Sequence, residues 1–151
     1  MAEEIVFMMG SYEARFPTDR EYCENHLWAQ VGPGGFRIGF TNYSVRLLQD
    51  VYFLDWTVDP YTAVARKQEI GEIESAKAVS SMYPPGAGKI LDFNENLLND
   101  PSAINTDNYG GGWLYHFETE MKFLSAQEYV ELLSEKWNET QRIIKGQVNE
   151  G

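Results

Sequence analysis

Cysteine is nearly missing from this chain. The 151 residues hold one, Cys23, so no intrachain disulfide can form and packing alone must hold the fold. An ordinary small side chain near a strand start describes Cys23 better than a redox thiol. Histidine is almost as scarce. His26 and His116 lie far apart and no Cys/His ligand spacing accompanies them, which argues against a metal site. Positive charge is short as well: 12 Lys and Arg stand against 23 Asp and Glu, a net charge of −11. Phosphate backbones need a basic patch, so nucleic acid is not an expected partner. The acidic surplus is compatible with solubility, with enzymes that dock through basic surfaces, or with a saline habitat. No apolar run approaches the length that spans a membrane. The start, Met1 to Glu4, lacks the basic region of a signal peptide, and no Arg-rich leader is evident. The expectation is a cytoplasmic protein with no membrane partner. Gly110 to Gly112 form a triple glycine, but no Gly-Lys-Ser/Thr follows and a strand comes next. A phosphate loop is therefore rejected in favour of close backbone packing beside Trp113.

What is present is a succession of short strands broken by turn signals. Leu27 to Val31 and Phe36 to Thr41 flank the hairpin signal Gly32-Pro33-Gly34-Gly35. Thr41 suits the N-cap of a helix over Asn42 to Gln49, with Val45, Leu48 and Tyr43 on its apolar face. Val51 to Trp56 reads as a buried strand. Lys89 to Phe93 and Trp113 to Phe117 are further strands, Asn94 to Leu98 is one helical turn, and Asp100 opens a polar loop to the triple glycine. Ser125 and Glu128 form a capping box, after which Tyr129, Leu132, Leu133, Trp137 and Ile144 recur at helical spacing. At the other end, Ile5 to Met9 is a short apolar run, strand or helical turn, and Phe16 to Asp19 reads as a connector. The pattern predicts a mainly β domain with helices at its periphery. Its parts are an N-terminal extension (1–20), a central domain (21–124), and a C-terminal helix and tail packed on it (125–151).

The stretch around Lys77 organises the rest. Gln68 to Glu74 and Val79 to Tyr83 read as paired strands, the second stopped by Pro84 and Pro85. Ser75 to Ala78 is a tight turn between them. A lysine at such a tip is uncrowded, with small Ala76 and Ala78 beside it and Glu72 and Glu74 adding negative charge. On the local pattern alone, a solvated turn lysine is the commoner case. A helical pairing of Glu74 with Lys77 is disfavoured by Gly71 and the double proline.

Glu74-Ser-Ala-Lys-Ala78 resembles the lipoylation motif of the glycine cleavage system H-protein family. Four other segments resemble that family in the same order: His26-Leu-Trp28, Ile38-Gly-Phe-Thr-Asn-Tyr43, Asn94-Glu-Asn-Leu97 and Tyr109-Gly-Gly-Gly-Trp113. Gly88, eleven residues beyond Lys77, resembles the glycine that follows the modified lysine in lipoyl domains. The resemblance spans roughly residues 20 to 133. It implies the lipoyl-domain fold, a barrel-sandwich hybrid of two small sheets, and a carrier rather than an enzyme. It also implies lipoate in amide linkage on Lys77. The charges beside it, Glu74 and Glu72, read as recognition or orientation groups for a lipoate ligase or lipoyl transferase.

Some residues depart from the family pattern. Gln49 stands where a glycine is usual, aromatics crowd Val51 to Trp56, and Ala76 replaces a valine beside the lysine. With the N-terminal lead and the long C-terminal helix, these resemble the H-protein-like lipoate-binding proteins of bacterial sulfur oxidation. The leading expectation is thus a lipoate carrier serving a heterodisulfide-reductase-like complex. The alternative is the H-protein that passes an aminomethyl group among glycine decarboxylase, aminomethyltransferase and dihydrolipoyl dehydrogenase. A second alternative is an unmodified scaffold. Biotin is disfavoured because Ala76 and Ala78 stand where biotin carriers have methionines.

Overall fold

The structure, a computed structural model, describes residues 3–150, and side chains from 3 to 138. Two hydrophobic clusters account for the architecture. The first lies between a six-stranded and a three-stranded antiparallel sheet. The six-stranded sheet has the order β3 (Glu21–Tyr22), β4 (Leu27–Gly32), β5 (Gly35–Phe40), β11 (Tyr115–Glu118), β10 (Gly88–Phe93) and β7 (Ala63–Val64). The three-stranded sheet has the order β6 (Val51–Trp56), β8 (Gly71–Ser75) and β9 (Val79–Met82). Ile38, Leu54, Ile73, Ile90 and Phe117 from these strands share one core. The result is the mainly β barrel-sandwich architecture expected, with sheets of unequal size rather than two small matched ones.

The hairpin signal at Gly32 joins β4 to β5 with Gly32 opposite Gly35. Thr41 caps helix α1 (Asn42–Leu48), its hydroxyl accepting from the Ser44 amide at 3.4 Å. The apolar face of α1 is half-buried and divided: Val45 and Leu48 pack on the first core, Tyr43 on the second. Gln49 ends the helix at φ 60°, a left-handed conformation that favours glycine. Asn105 holds the strained segment, donating to the Gln49 carbonyl at 2.7 Å and accepting from the Val51 amide at 2.8 Å. Helical turn α2 (Asn96–Asn99) precedes the expected polar loop and α3 (Ala103–Thr106) lies within it, burying Leu97 and Ile104. The turn expected over Asn94 to Leu98 is α2, shifted by one or two residues; α3 was missed because four residues show no helical period.

The second cluster joins the N-terminal hairpin to the first turns of the C-terminal helix. Ile5 to Met9 forms a strand, β1 (Glu4–Met9), paired antiparallel with β2 (Tyr12–Pro17). Phe16 and Pro17 are therefore strand residues, not connector, and Phe16 is wholly buried. Phe7, Met9, Ala14 and Phe16 pack with Tyr22 and Trp28 of the large sheet and with Ala126, Tyr129 and Leu133 of helix α4 (Ala126–Glu150). Both halves of the capping box are formed: the Ser125 amide donates to Glu128 at 2.9 Å, and the Glu128 amide donates to Ser125 Oγ at 3.1 Å. Of the predicted apolar stripe, Ile144 falls outside the described side chains. Among the described residues, no helix is long and apolar enough to cross a membrane.

His26 lies at this junction. Its Nδ1 is 2.9 Å from the Tyr129 hydroxyl. Burial, aided by the charge of Lys136, depresses its pKa from 6.5 to about 4. The unfolded chain binds a proton here at a higher pH than the folded one, so stability rises with pH across that window. The contribution is complete above about 6.5 and is lost as the pH falls through about 4. Unfolding free energy from urea titrations should fall between those limits, and His26→Gln should flatten that slope. An unchanged slope would contradict the assignment.

Candidate functional site

Strands β8 and β9 form the predicted hairpin, with Gly71 opposite Met82, Glu72 opposite Ser81, Ile73 opposite Ser80 and Glu74 opposite Val79. Alternation along β8 decides what faces where. Gly71, Ile73 and Ser75 point inward and are buried, while Glu72 is exposed and Glu74 half-buried. Gly71 has no room for a side chain, since a Cβ there would sit 2.5 Å from the Asp55 carbonyl oxygen.

Lys77 stands at the tip, exposed, between exposed Ala76 and Ala78. The tip is nevertheless well ordered by hydrogen bonds. The Ser75 amide donates to the Ala78 carbonyl at 3.0 Å, and the Ala76 amide donates to Asp50 at 2.8 Å. Ser75 Oγ accepts from the Lys77 amide at 3.2 Å and from the Ala78 amide at 3.4 Å. The buried serine of the motif is thus the buttress of the turn. Ser75→Ala removes an acceptor shared by two amides and should cost about 1 kcal/mol. Faster hydrogen exchange at Lys77 and Ala78 would check it. Unchanged protection would show that the backbone alone holds the tip.

Glu72 and Glu74 share the outer face of the hairpin with Asp55, which lies opposite Glu72, and Phe53, which lies opposite Glu74. Among the described residues neither glutamate forms an ion pair. Strand β6 is not the buried strand its composition predicts. A bulge between Val51 and Phe53 turns both Tyr52 and Phe53 outward, 62% and 48% exposed. Bulges re-aim side chains in this way, and apolar composition alone does not reveal them. Val79, 61% exposed, completes an apolar strip beside the lysine.

Along β9 a cleft of about 230 Å³ opens between Ser81, Met82 and Tyr83 on one side and Leu47 and Leu48 of α1 on the other. Tyr115 lies among its lining residues. The Tyr115 hydroxyl is buried with no hydrogen-bond partner among the described residues.

Gly88 is required by close packing rather than by backbone conformation. Its φ is not left-handed; instead a Cβ there would meet the Glu118 carbonyl at 2.5 Å and the Phe117 ring at 2.6 Å. The triple glycine wraps a carboxylate: Asp107 accepts from the Gly111 amide at 2.8 Å. A Cβ on Gly112 would collide with the Ala103 carbonyl.

Cys23 is buried, and burial pushes its thiol pKa up to about 11, so it stays protonated and unreactive at neutral pH. The histidines are in separate places, His26 on Tyr129 and His116 on Asp92 at 2.7 Å. Among the described residues, no group of three metal-ligating side chains is assembled.

An exposed, uncrowded lysine thus stands at the tip of a buttressed hairpin carried by a barrel-sandwich. The family model for Glycine cleavage H-protein matches residues 20–144. The glycine cleavage system H protein of Nocardia farcinica is 40% identical over 103 residues, covering 68% of this chain and 77% of that protein. A probable glycine cleavage system H protein of Natronomonas pharaonis is 35% identical over 117 residues, covering 75% of this chain and 92% of that protein. A crystal structure of a glycine cleavage system H protein from Mycobacterium marinum superposes with a TM-score of 0.68 at 33% identity, covering 79% of this chain and 99% of that one.

The chain belongs to the glycine cleavage H-protein family. It is a lipoyl carrier protein, not an enzyme, and proteins of this family carry lipoate covalently on a lysine. The expectation of a sulfur-oxidation carrier finds no support in these relatives, and the glycine cleavage alternative fits them better. Two of the departures that suggested otherwise have a local structural setting. Gln49 is held in its left-handed conformation by Asn105, and Ala76 lies exposed at the tip.

Proposed function

We propose that Lys77 is the lipoylated lysine and that the chain is the shuttle subunit of the cytoplasmic glycine cleavage system. The observation that carries this reading is the exposed Lys77 amine at the end of the β8–β9 hairpin, within Glu74-Ser-Ala-Lys-Ala78. The residues fit an acylated lysine: Ala76 and Ala78 leave the amine open, and Ser75 fixes the turn that presents it. Lipoate, when attached, supplies the redox-active disulfide; the protein supplies placement. Tethering raises the local concentration of that group at each docked enzyme. The cleft along β9 offers its hydrocarbon chain an apolar place to rest.

Glu72 and Glu74, with the Phe53 and Val79 strip, give the ligase or transferase an acidic, partly apolar face to read. Glycine decarboxylase, aminomethyltransferase and dihydrolipoyl dehydrogenase are the partners this reading implies. Glycine–bicarbonate exchange with purified glycine decarboxylase tests the pathway. The lipoylated protein should support exchange and the unmodified one should not. No exchange with fully lipoylated protein would overturn the glycine cleavage assignment while leaving the carrier class intact.

A further inference from the structure

We propose that a second cleft, at the foot of the lysine hairpin rather than at its tip, binds a small organic anion: a phosphate or carboxylate head on an apolar body. The cleft has a volume of about 760 Å³, inside the range of small-molecule sites, roughly 300–1,000 Å³. Its walls carry Arg66, Lys67, Lys122 and Lys136, four of the chain's 12 basic residues. Only one carboxylate, Glu24, lines it with them. On a chain with 23 acidic residues this is a local reversal of sign. The four cations come from the turn after β7, the segment before α4 and α4 itself. A concave wall of one sign focuses the field and concentrates counter-ions.

The ion pair between Arg66 and Glu24 does little to neutralise the wall. Arg66 meets Glu24 at 3.8 Å with both side chains 65% exposed, a geometry of small energetic value. Among the described residues, neither Lys67 nor Lys122 forms an ion pair.

Beneath the cations the lining is apolar. Tyr22 is wholly buried and Cys23 nearly so, and Leu124 and the Pro84–Pro85 step join them. The frame is tied together in advance: Asn25 Nδ2 donates to the Pro84 carbonyl at 2.9 Å, and Tyr22 and Leu124 exchange two backbone hydrogen bonds of 2.8 Å. A preformed recess lowers the ordering cost of binding. An apolar floor under a cationic rim selects a molecule built the same way, apolar at one end and anionic at the other. The site does not depend on Lys77 and stands whether or not that lysine is acylated.

The test is titration of the ¹⁵N-labelled full chain with octyl phosphate, octanoate and, as the neutral control, octanol, at low and raised salt. Octyl phosphate or octanoate should shift the amides of Cys23, Ala87 and Lys122 saturably, more weakly at raised salt, and the tighter of the two identifies the head group. Octanol should not saturate them. The Arg66→Gln/Lys122→Gln double variant, altered only at exposed positions, should bind about tenfold more weakly with an unchanged melting temperature. The proposal is overturned if neither anion gives saturable shifts at low salt, if octanol binds as well as they do, or if the double variant binds like the parent.

Discussion

Lys77→Arg should abolish lipoyl incorporation altogether while leaving the fold unchanged. Arginine keeps the positive charge and much of the length. Its guanidinium stays protonated at any pH the protein survives, so it offers no free amine to acylate. The side chain projects from an exposed tip, and the turn is held by backbone groups and Ser75 rather than by the lysine. Exposed substitutions of this kind stay within about 0.5 kcal/mol. Intact-mass measurement after co-expression with an active lipoate ligase should show a lipoyl increment on the parent and none on the variant, with coincident melting curves. An increment on the arginine variant would place the site elsewhere. Its absence from the parent itself would restore the unmodified-scaffold reading.

The largest stability effect should come from Tyr129→Ala, at about 3–5 kcal/mol, the loss typical of deleting a large buried aromatic. Tyr129 is wholly buried. Its ring stacks on Tyr22 at 5.0 Å and 7° and meets Phe16 edge-on at 5.1 Å. Its hydroxyl lies 2.9 Å from His26 Nδ1 and 3.1 Å from Thr41 Oγ1. One side chain thus links α4, the N-terminal hairpin, the large sheet and the cap of α1. Urea unfolding should show the loss. Hydrogen exchange should show β1 and β2 opening first, because Phe16 of β2 loses the ring it meets edge-on. Tyr129→Phe should cost less, about 1–3 kcal/mol, since it keeps the rings packed and strands only the polar partners. A Tyr129→Ala variant as stable as the parent would show that the hairpin and helix are not coupled through this residue.

Much of the fold was readable because its signals are local. The Gly32–Gly35 hairpin, the Thr41 cap, the capping box at Ser125 and the Ser75–Ala78 turn each depend on a few neighbouring residues with restricted backbone preferences. Signals that depend on distant partners were not readable. The β6 bulge exists because Val51 and Phe53 must register against β8, and nothing in the aromatic run announces it. Gly88 and Gly112 are explained by carbonyls of Glu118 and Ala103, approaches that no single segment contains. The N-terminal run was ambiguous between strand and helix until β2 supplied its partner.

By itself the order of residues determined the short-strand architecture, the lysine in its turn and the shortage of cysteine that leaves stability to packing. Tertiary structure alone decided that the N-terminal hairpin and the first turns of α4 share a core, that Tyr52 and Phe53 face outward, and that four scattered cations line one cleft. The physical reason is range. Turn and cap preferences are set within a few residues, whereas burial, register and the summed field of charges exist only after distant segments have met.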